Sequence, residues 1–382
     1  MKNNVLILNN HCCGCGQCVV MCPTSAIILK KNRQGFYYPN IDNDKCVNCG
    51  KCVRDCSFNN HIVANKVLDS FAVKHLNDNI RFNSRSGGVF TSISDWVFDK
   101  HGVVYGCSLV NHNEAIHTRA ITKNERDSFR GSKYIQSNII DCYQSVMNDL
   151  SNNKWVLFSG TPCQVNAIKS YCKNIDTERL ILLDIVCHGV PSPLVWSDYL
   201  SYLSGKSKRI VSVDFRDKKR FGWAAHKETI EFDNGEVYSS SIFTELFYSH
   251  LIIRKECFEC PFKHITRLGD ITIADCWGIA ENYPNFDDDK GVSLVLLNSL
   301  KGKSIWRQVE NIDSISVDLR KLMQPPLYRN WEKPHDYNDF WEFYYSHSLK
   351  KVINKYVYKT PTLNKRVINR LKRMTVQVLR KG

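Results

Sequence analysis

Between residues 71 and 319, short apolar runs alternate with stretches whose apolar residues recur at helical spacing. Residues 154–158 are one such run, followed by the turn Ser159-Gly160-Thr161-Pro162-Cys163-Gln164 and by helical spacing over 165–172. The scheme repeats with a nearly continuous apolar strand at 179–186, the turn Cys187-His188-Gly189-Val190-Pro191-Ser192 and a helix over 194–203. Strand, turn and helix in that order predict α/β architecture, in which ligands sit at the carboxyl ends of strands, where these two turns lie. Residues 210–215 and 228–238, the latter turning at Asn234-Gly235, predict antiparallel strands, so the expected body is mixed, α+β. Ahead of it, residues 27–39 predict a short strand pair turning near 32–35.

Composition narrows the class without naming a function. The chain has 382 residues, enough for two or three domains, and its 43% hydrophobic and 24% charged residues exclude disorder as the main state. No run approaches the ~18–20 apolar residues of a membrane span, and the apolar part of the first ten residues is too short for an export signal. A cytoplasmic protein is expected. The net charge of +14 is concentrated at one end: after Glu342 there is no acidic residue, while eleven lysines and arginines follow. The remainder is close to neutral.

Seventeen cysteines, an odd number in a chain expected in a reducing compartment, point to metal or cluster ligation rather than disulfides. Cys12, Cys15, Cys18 and Cys22 follow C-x2-C-x2-C-x3-C before Pro23, and Cys46, Cys49, Cys52 and Cys56 repeat the spacing with Ser57 in the proline position. This is the pattern of two-cluster bacterial ferredoxins. Three cysteines on a tight loop reach three corners of an iron-sulfur cube, and the last cysteine of the other run supplies the fourth. The expected sets are therefore Cys12, Cys15, Cys18 with Cys56, and Cys46, Cys49, Cys52 with Cys22. Zinc sites use separated C-x2–4-C pairs, which a third cysteine two residues on does not match. A module of about sixty residues has little apolar surface, so its clusters should carry much of its stability. Cys13 lies outside the pattern and receives no role.

A second cysteine set comprises Cys163, Cys187 and Cys257-x2-Cys260, with Cys276 nearby; buried structural thiols are the competing reading. The ordered motifs Ser86-Gly87-Gly88, Gly131-Ser132-Lys133-Tyr134, Gly160-Thr161-Pro162-Cys163-Gln164, Cys187-His188-Gly189-Val190-Pro191-Ser192, Gly269-Asp270-Ile271 and Asp275-Cys276-Trp277-Gly278 resemble the beta subunit of coenzyme F-420-reducing hydrogenase and dehydrogenase over about residues 70–320. The resemblance implies an FAD-binding iron-sulfur oxidoreductase. It implies flavin contacts at Ser86, Gly87, Gly88, Thr91, Lys133, Gly160 and Thr161, where glycines permit close approach and a lysine favours the anion formed on flavin reduction.

The second cysteine set, Cys163, Cys187, Cys257 and Cys260, is then expected to hold a third 4Fe-4S cluster. His188 is a candidate for proton exchange beside the flavin or a shaper of its loop. Asp275 either caps a turn or touches the flavin. The expected organisation is a two-cluster ferredoxin domain over 1–62, a flavin-binding mixed-sheet domain over 63–345 and a basic helical tail over 346–382. In the tail Leu363, Val367, Leu371, Met374 and Val378 recur at helical spacing among basic residues, which suits peripheral contact with an anionic membrane or docking on a protein surface. No nucleic-acid recognition motif accompanies the charge. The expected partners are a redox protein or ferredoxin-like carrier and a two-electron substrate or deazaflavin coenzyme. A non-catalytic electron-carrier subunit is the alternative function.

Overall fold

The structure, a computed structural model, describes residues 11–60 and 64–358. Its strands are β1 Ile27–Lys31, β2 Tyr37–Ile41, β3 Asp69–His75, β4 Val103–Val110, β5 Glu114–Ala120, β6 Ser137–Asn138, β7 Val156–Gly160, β8 Leu180–Ile185, β9 Ile210–Asp214, β10 Glu228–Phe232, β11 Val237–Ser240, β12 Ile271–Asp275, β13 Ser293–Leu297 and β14 Ile312–Ser316. Nine of them form one sheet in the order β14-β3-β13-β12-β8-β7-β4-β5-β6. Its centre, β12, β8, β7 and β4, is parallel, and antiparallel strands flank it. The expected mixed architecture is present.

The apolar runs of β7 and β8 are buried because helices cover both faces of the sheet. Val89–Asp99 packs on one side with Trp96 and Val97, and Ile140–Ser151 with Pro162–Tyr171 packs on the other around Tyr143, Val165 and Ile168. The turn after β7 stops where helix chemistry takes over. Thr161 caps Pro162–Tyr171, with Pro162 in its first turn and the Gln164 carboxamide accepting the Thr161 amide at 3.1 Å. Ser192 plays the same part for Pro193–Ser204, accepting from the Val195 amide at 3.2 Å.

β9, β10 and β11 make a separate antiparallel sheet that shares a core with helices Pro193–Ser204, Ile242–Tyr248 and Tyr337–Ser346. The same core takes in Val352 and Ile353, 0% and 3% exposed, from the helical stretch Leu349–Val352 and Ile353–Val357. The packed body thus runs to Val357, past the limit of 345 expected from the sequence, because Leu349, Val352, Ile353 and Tyr356 supply apolar side chains between the first lysines. The amphipathic pattern at 363–378 lies outside the described residues.

Candidate functional site

The N-terminal module is built on β1 and β2, which pair from Ile27–Ile41 to Lys31–Tyr37, and on one short helix after each cysteine loop, Gln17–Val20 and Lys51–Arg54. Gly14, at φ +70°, turns the first loop where a Cβ would strike the Tyr37 carbonyl. Cys12, Cys15, Cys18, Cys52 and Cys56 line one small cavity, and Cys12, Cys15, Cys18 and Cys56 lie within electrostatic range of one another. Cys18, Cys22, Cys46 and Cys52 gather around Ile27 and Ile41, and Cys49 is exposed.

Sulfur-directed donors accompany both runs: the Gly14 amide to Cys12 Sγ, the Ala26 amide to Cys22 Sγ and the Asn59 amide group to Cys56 Sγ, each at 3.3 Å. Such donors stabilise thiolates, so the residues present fit cluster ligation. Without iron, burial pushes the Cys12 thiol up to about 12. Among the described residues no three His, Cys, Asp or Glu side chains converge on a single ion position; each thiolate of a four-iron cube binds a different iron, so these ligands do not share one centre.

The second cysteine set comes together from three places: Cys163 from the first turn of Pro162–Tyr171, Cys187 from the loop after β8, and Cys257 and Cys260 from the 3-10 turn Lys255–Glu259 and its end. Cys187 and Cys260 each lie within electrostatic range of Cys163, and Cys257 within range of Cys187 and Cys260. Lys263 faces Cys187, Cys257 and Cys260, a cation where thiolates would concentrate charge. Cys13, which sequence reasoning left without a role, packs in one small cluster with Cys56, Cys163 and Cys260 and so sits between the two cysteine sets. No local spacing marks it. Cys107, Cys142, Cys172 and Cys276 stand apart; the last three are buried in apolar surroundings.

A cavity of about 300 Å³ opens at the carboxyl ends of β4, β7, β8 and β12, at the low end of the range of ligand sites. Ser86, Gly88, Thr91, Lys133, Gly160, Thr161, Cys187 and His188 all line it. Gly87 does not. It is wedged between β3 and β13, with its amide donating to Ser293 Oγ at 2.9 Å and its carbonyl accepting from the His75 amide at 2.7 Å. Gly88, at φ +91°, starts the helix Val89–Asp99 whose first turn holds Thr91, and Thr91 Oγ1 accepts from Arg130 Nε at 3.1 Å.

Lys133 Nζ donates to the Ser128 and Arg130 carbonyls at 2.9 and 2.8 Å, and burial lowers its pKa to about 8. His188 is also held by its surroundings: burial, then Lys263, lowers it to about 4, and its Nδ1 is buried without a partner among the described residues. Burial thus disfavours the charged form of the imidazole. Asp275 accepts from Arg216 Nη1 at 2.5 Å and Trp223 Nε1 at 3.2 Å. Burial opposes its charge, but Arg216 and Arg85 outweigh it and keep Asp275 below the usual carboxylate range. It anchors the cavity wall and caps no helix.

Three lining residues escaped sequence reasoning. Arg85 stands directly before the Ser86-Gly87-Gly88 motif and its Nε is buried without a partner among the described residues; adjacency to the motif was the available signal. Arg216 and His117 have no local signature, since each reaches the cavity through the fold.

Residues 153–320 match the family described as the C terminus of the beta subunit of coenzyme F420 hydrogenase/dehydrogenase. Over this region the chain is similar to that family. Residues 11–60 match the 4Fe-4S dicluster domain. The chain is therefore an iron-sulfur redox protein, and the ferredoxin-type reading of the N-terminal cysteines is borne out at the level of the domain. A relative, one of the subunits of the F(420)H(2) dehydrogenase of Methanosarcina mazei, is 23% identical over 288 residues, which cover 71% of this chain and 79% of the relative. A chain in the xenon-derivatised F420-reducing [NiFe] hydrogenase complex from Methanosarcina barkeri aligns with a TM-score of 0.47 and 15% identity over 68% of this chain and 87% of that one. Among the described residues no helix is long and apolar enough to cross a membrane.

Proposed function

We propose that the chain is an iron-sulfur flavoprotein oxidoreductase subunit that passes electrons from two ferredoxin-type clusters, through a third cluster, to a flavin in the sheet-end cavity. The observation that carries this reading is that Cys187, of the second cysteine set, lines the same cavity as Ser86, Thr91, Lys133 and Gly160. The order of the relay follows from placement. The set containing exposed Cys49 is open to a partner protein, the set of Cys12, Cys15, Cys18 and Cys56 is inside, and Cys13 packs between that inner set and Cys163.

The residues present fit an anionic ligand with many hydrogen-bonding groups: among the described residues Arg85 offers an unpartnered buried N–H, Arg130 and Arg216 add charge, and His117 and His188 each keep an unpartnered ring nitrogen. A flavin bound there would supply the exchange between one-electron and two-electron carriers. Arg85, Arg130 and Arg216 bind anionic groups. Lys133 places a cation that favours a reduced, anionic ring, and this contribution fades as pH rises through about 8. His188 and Trp331 close one side by stacking at 5.8 Å, with Trp331 Nε1 donating to the His188 carbonyl at 2.6 Å.

The proposed organisation is a cluster module over 1–62, a cofactor-binding body that follows it and a basic tail. The proposed two-electron partner is a small substrate or a deazaflavin-type coenzyme, and membrane contact would fall to the tail. Iron, acid-labile sulfide and flavin per chain, measured after oxygen-free purification, test the reading. About twelve irons and one FAD are expected. Eight irons with FAD would remove the third cluster, whereas eight irons without recoverable flavin would replace the enzyme by an electron-carrier subunit.

A further inference from the structure

Arg254 is 2% exposed and belongs to neither the motifs nor the cavity. It stands at the start of the turn that carries Cys257 and Cys260, where its carbonyl accepts the Cys257 amide at 2.9 Å and its amide donates to the Val190 carbonyl at 2.9 Å. Its side chain crosses to the N-terminal module: Nε donates to the Cys12 carbonyl at 2.9 Å and Nη1 to the Tyr37 carbonyl at 3.0 Å. The guanidinium lies over the Tyr38 ring, 3.9 Å from its centre. Glu256, 3.1 Å from Nε, balances the charge and also accepts from the Tyr38 hydroxyl at 2.8 Å. Nη2 is buried with no partner among the described residues.

A buried N–H donor left orphaned beside a cysteine loop is costly unless something accepts from it. The sulfurs of a cluster held by Cys12, Cys15, Cys18 and Cys56 are acceptors of the right kind. Bonded at once to the Cys12 carbonyl and to the Cys257 amide, Arg254 stands between the inner cluster and the second cysteine set.

We propose that Arg254 is a positioning residue that locks the Cys12 loop onto the Cys257 turn and makes the inner cluster easier to reduce. The inference rests on the cluster reading above. When the inner cluster takes one electron from the outer cluster, it gains one negative charge and no bond is made or broken. A fixed cation and a sulfur-directed donor stabilise that charge and raise the potential, as net charge and hydrogen bonds do at iron-sulfur clusters generally. Glu256 partly cancels the effect. No like arrangement serves the outer cluster among the described residues, so its potential is the internal reference.

The test is a redox titration of full-length, oxygen-free protein followed by electron paramagnetic resonance, comparing wild type, E256Q and the double variant R254Q/E256Q, in which no carboxylate is left buried alone. E256Q should raise the potential of one cluster, and R254Q/E256Q should lower the same one below wild type. The expected size is about a tenfold change in how an electron divides between the two N-terminal clusters, about 59 mV for a one-electron couple. Equal potentials in all three proteins at full iron content would overturn the proposal. If the double variant loses four irons, E256Q alone decides: a potential that stays or falls overturns it. Wild-type protein without two reducible N-terminal clusters would instead defeat the cluster reading itself.

Discussion

Burial sets the protonation of individual side chains around the cavity. His117 is 5% exposed, stacks on Phe158 at 5.4 Å, and donates from Nε2 to the Ser159 carbonyl at 2.9 Å. Burial lowers its pKa from 6.5 to about 4. Between those values the unfolded chain binds a proton that the folded chain does not, so stability rises with pH across this window and is lost as pH falls. The contribution is at most about 3 kcal/mol. Urea midpoints should fall from pH 7 toward pH 5, and His117→Gln should flatten that slope; an unchanged slope would assign it elsewhere. At this scale the sequence was informative for residues inside motifs, such as Thr91 and Lys133, which line the cavity. Arg216, Arg254 and His117 were not legible, because their neighbours are far away in sequence.

The turn Lys255–Glu259 shows how one short element can serve several parts of the molecule. It follows Arg254, which holds the N-terminal module, and it presents Cys257 and Cys260 toward Cys163 and Cys187. The proposal of a third cluster is tested here. Cys260→Ser should remove about four irons while the ferredoxin-type signal stays, because the eight N-terminal cysteines are untouched. Unchanged iron would leave the second set as structural thiols. Elements of this scale were marked where local chemistry suffices: Asn234-Gly235 announced a hairpin between β10 and β11, while the helix expected from 165 starts earlier, at Pro162, inside the segment read as a turn. The pairing of β12 beside β8 was not marked, since strand neighbours depend on the whole sheet.

The module and body are fastened together across a broad contact. Besides Arg254, the Gln17 side chain donates to Ser170 Oγ at 3.0 Å, the Tyr143 hydroxyl to the Cys15 carbonyl at 3.1 Å, and Asn166 Nδ2 to the Ser57 carbonyl at 2.6 Å. At the other end, Val352 and Ile353 are core residues. A chain ending at 345 should therefore lose about 3–6 kcal/mol relative to one ending at 358, with the burial of those two side chains, as read from urea unfolding. Sedimentation with anionic vesicles should use the form ending at 358. Loss of binding relative to the full chain would assign membrane contact to residues 359–382, and equal binding would exclude them.

Cysteine spacing and local periodicity were enough to specify the ferredoxin-type domain and the mixed sheet, because cluster ligation depends on thiols placed along one loop and strands and helices depend on the apolar repeat of a short segment. The same local signals marked the two turns that end at the cavity. Long-range packing alone decided that Gly87 packs between β3 and β13, that His188 is buried against Trp331, and that Cys13 and Arg254 lie between the Cys12 loop and the second cysteine set. Burial and distance between remote segments govern those outcomes, and neither is a property of any short stretch of chain.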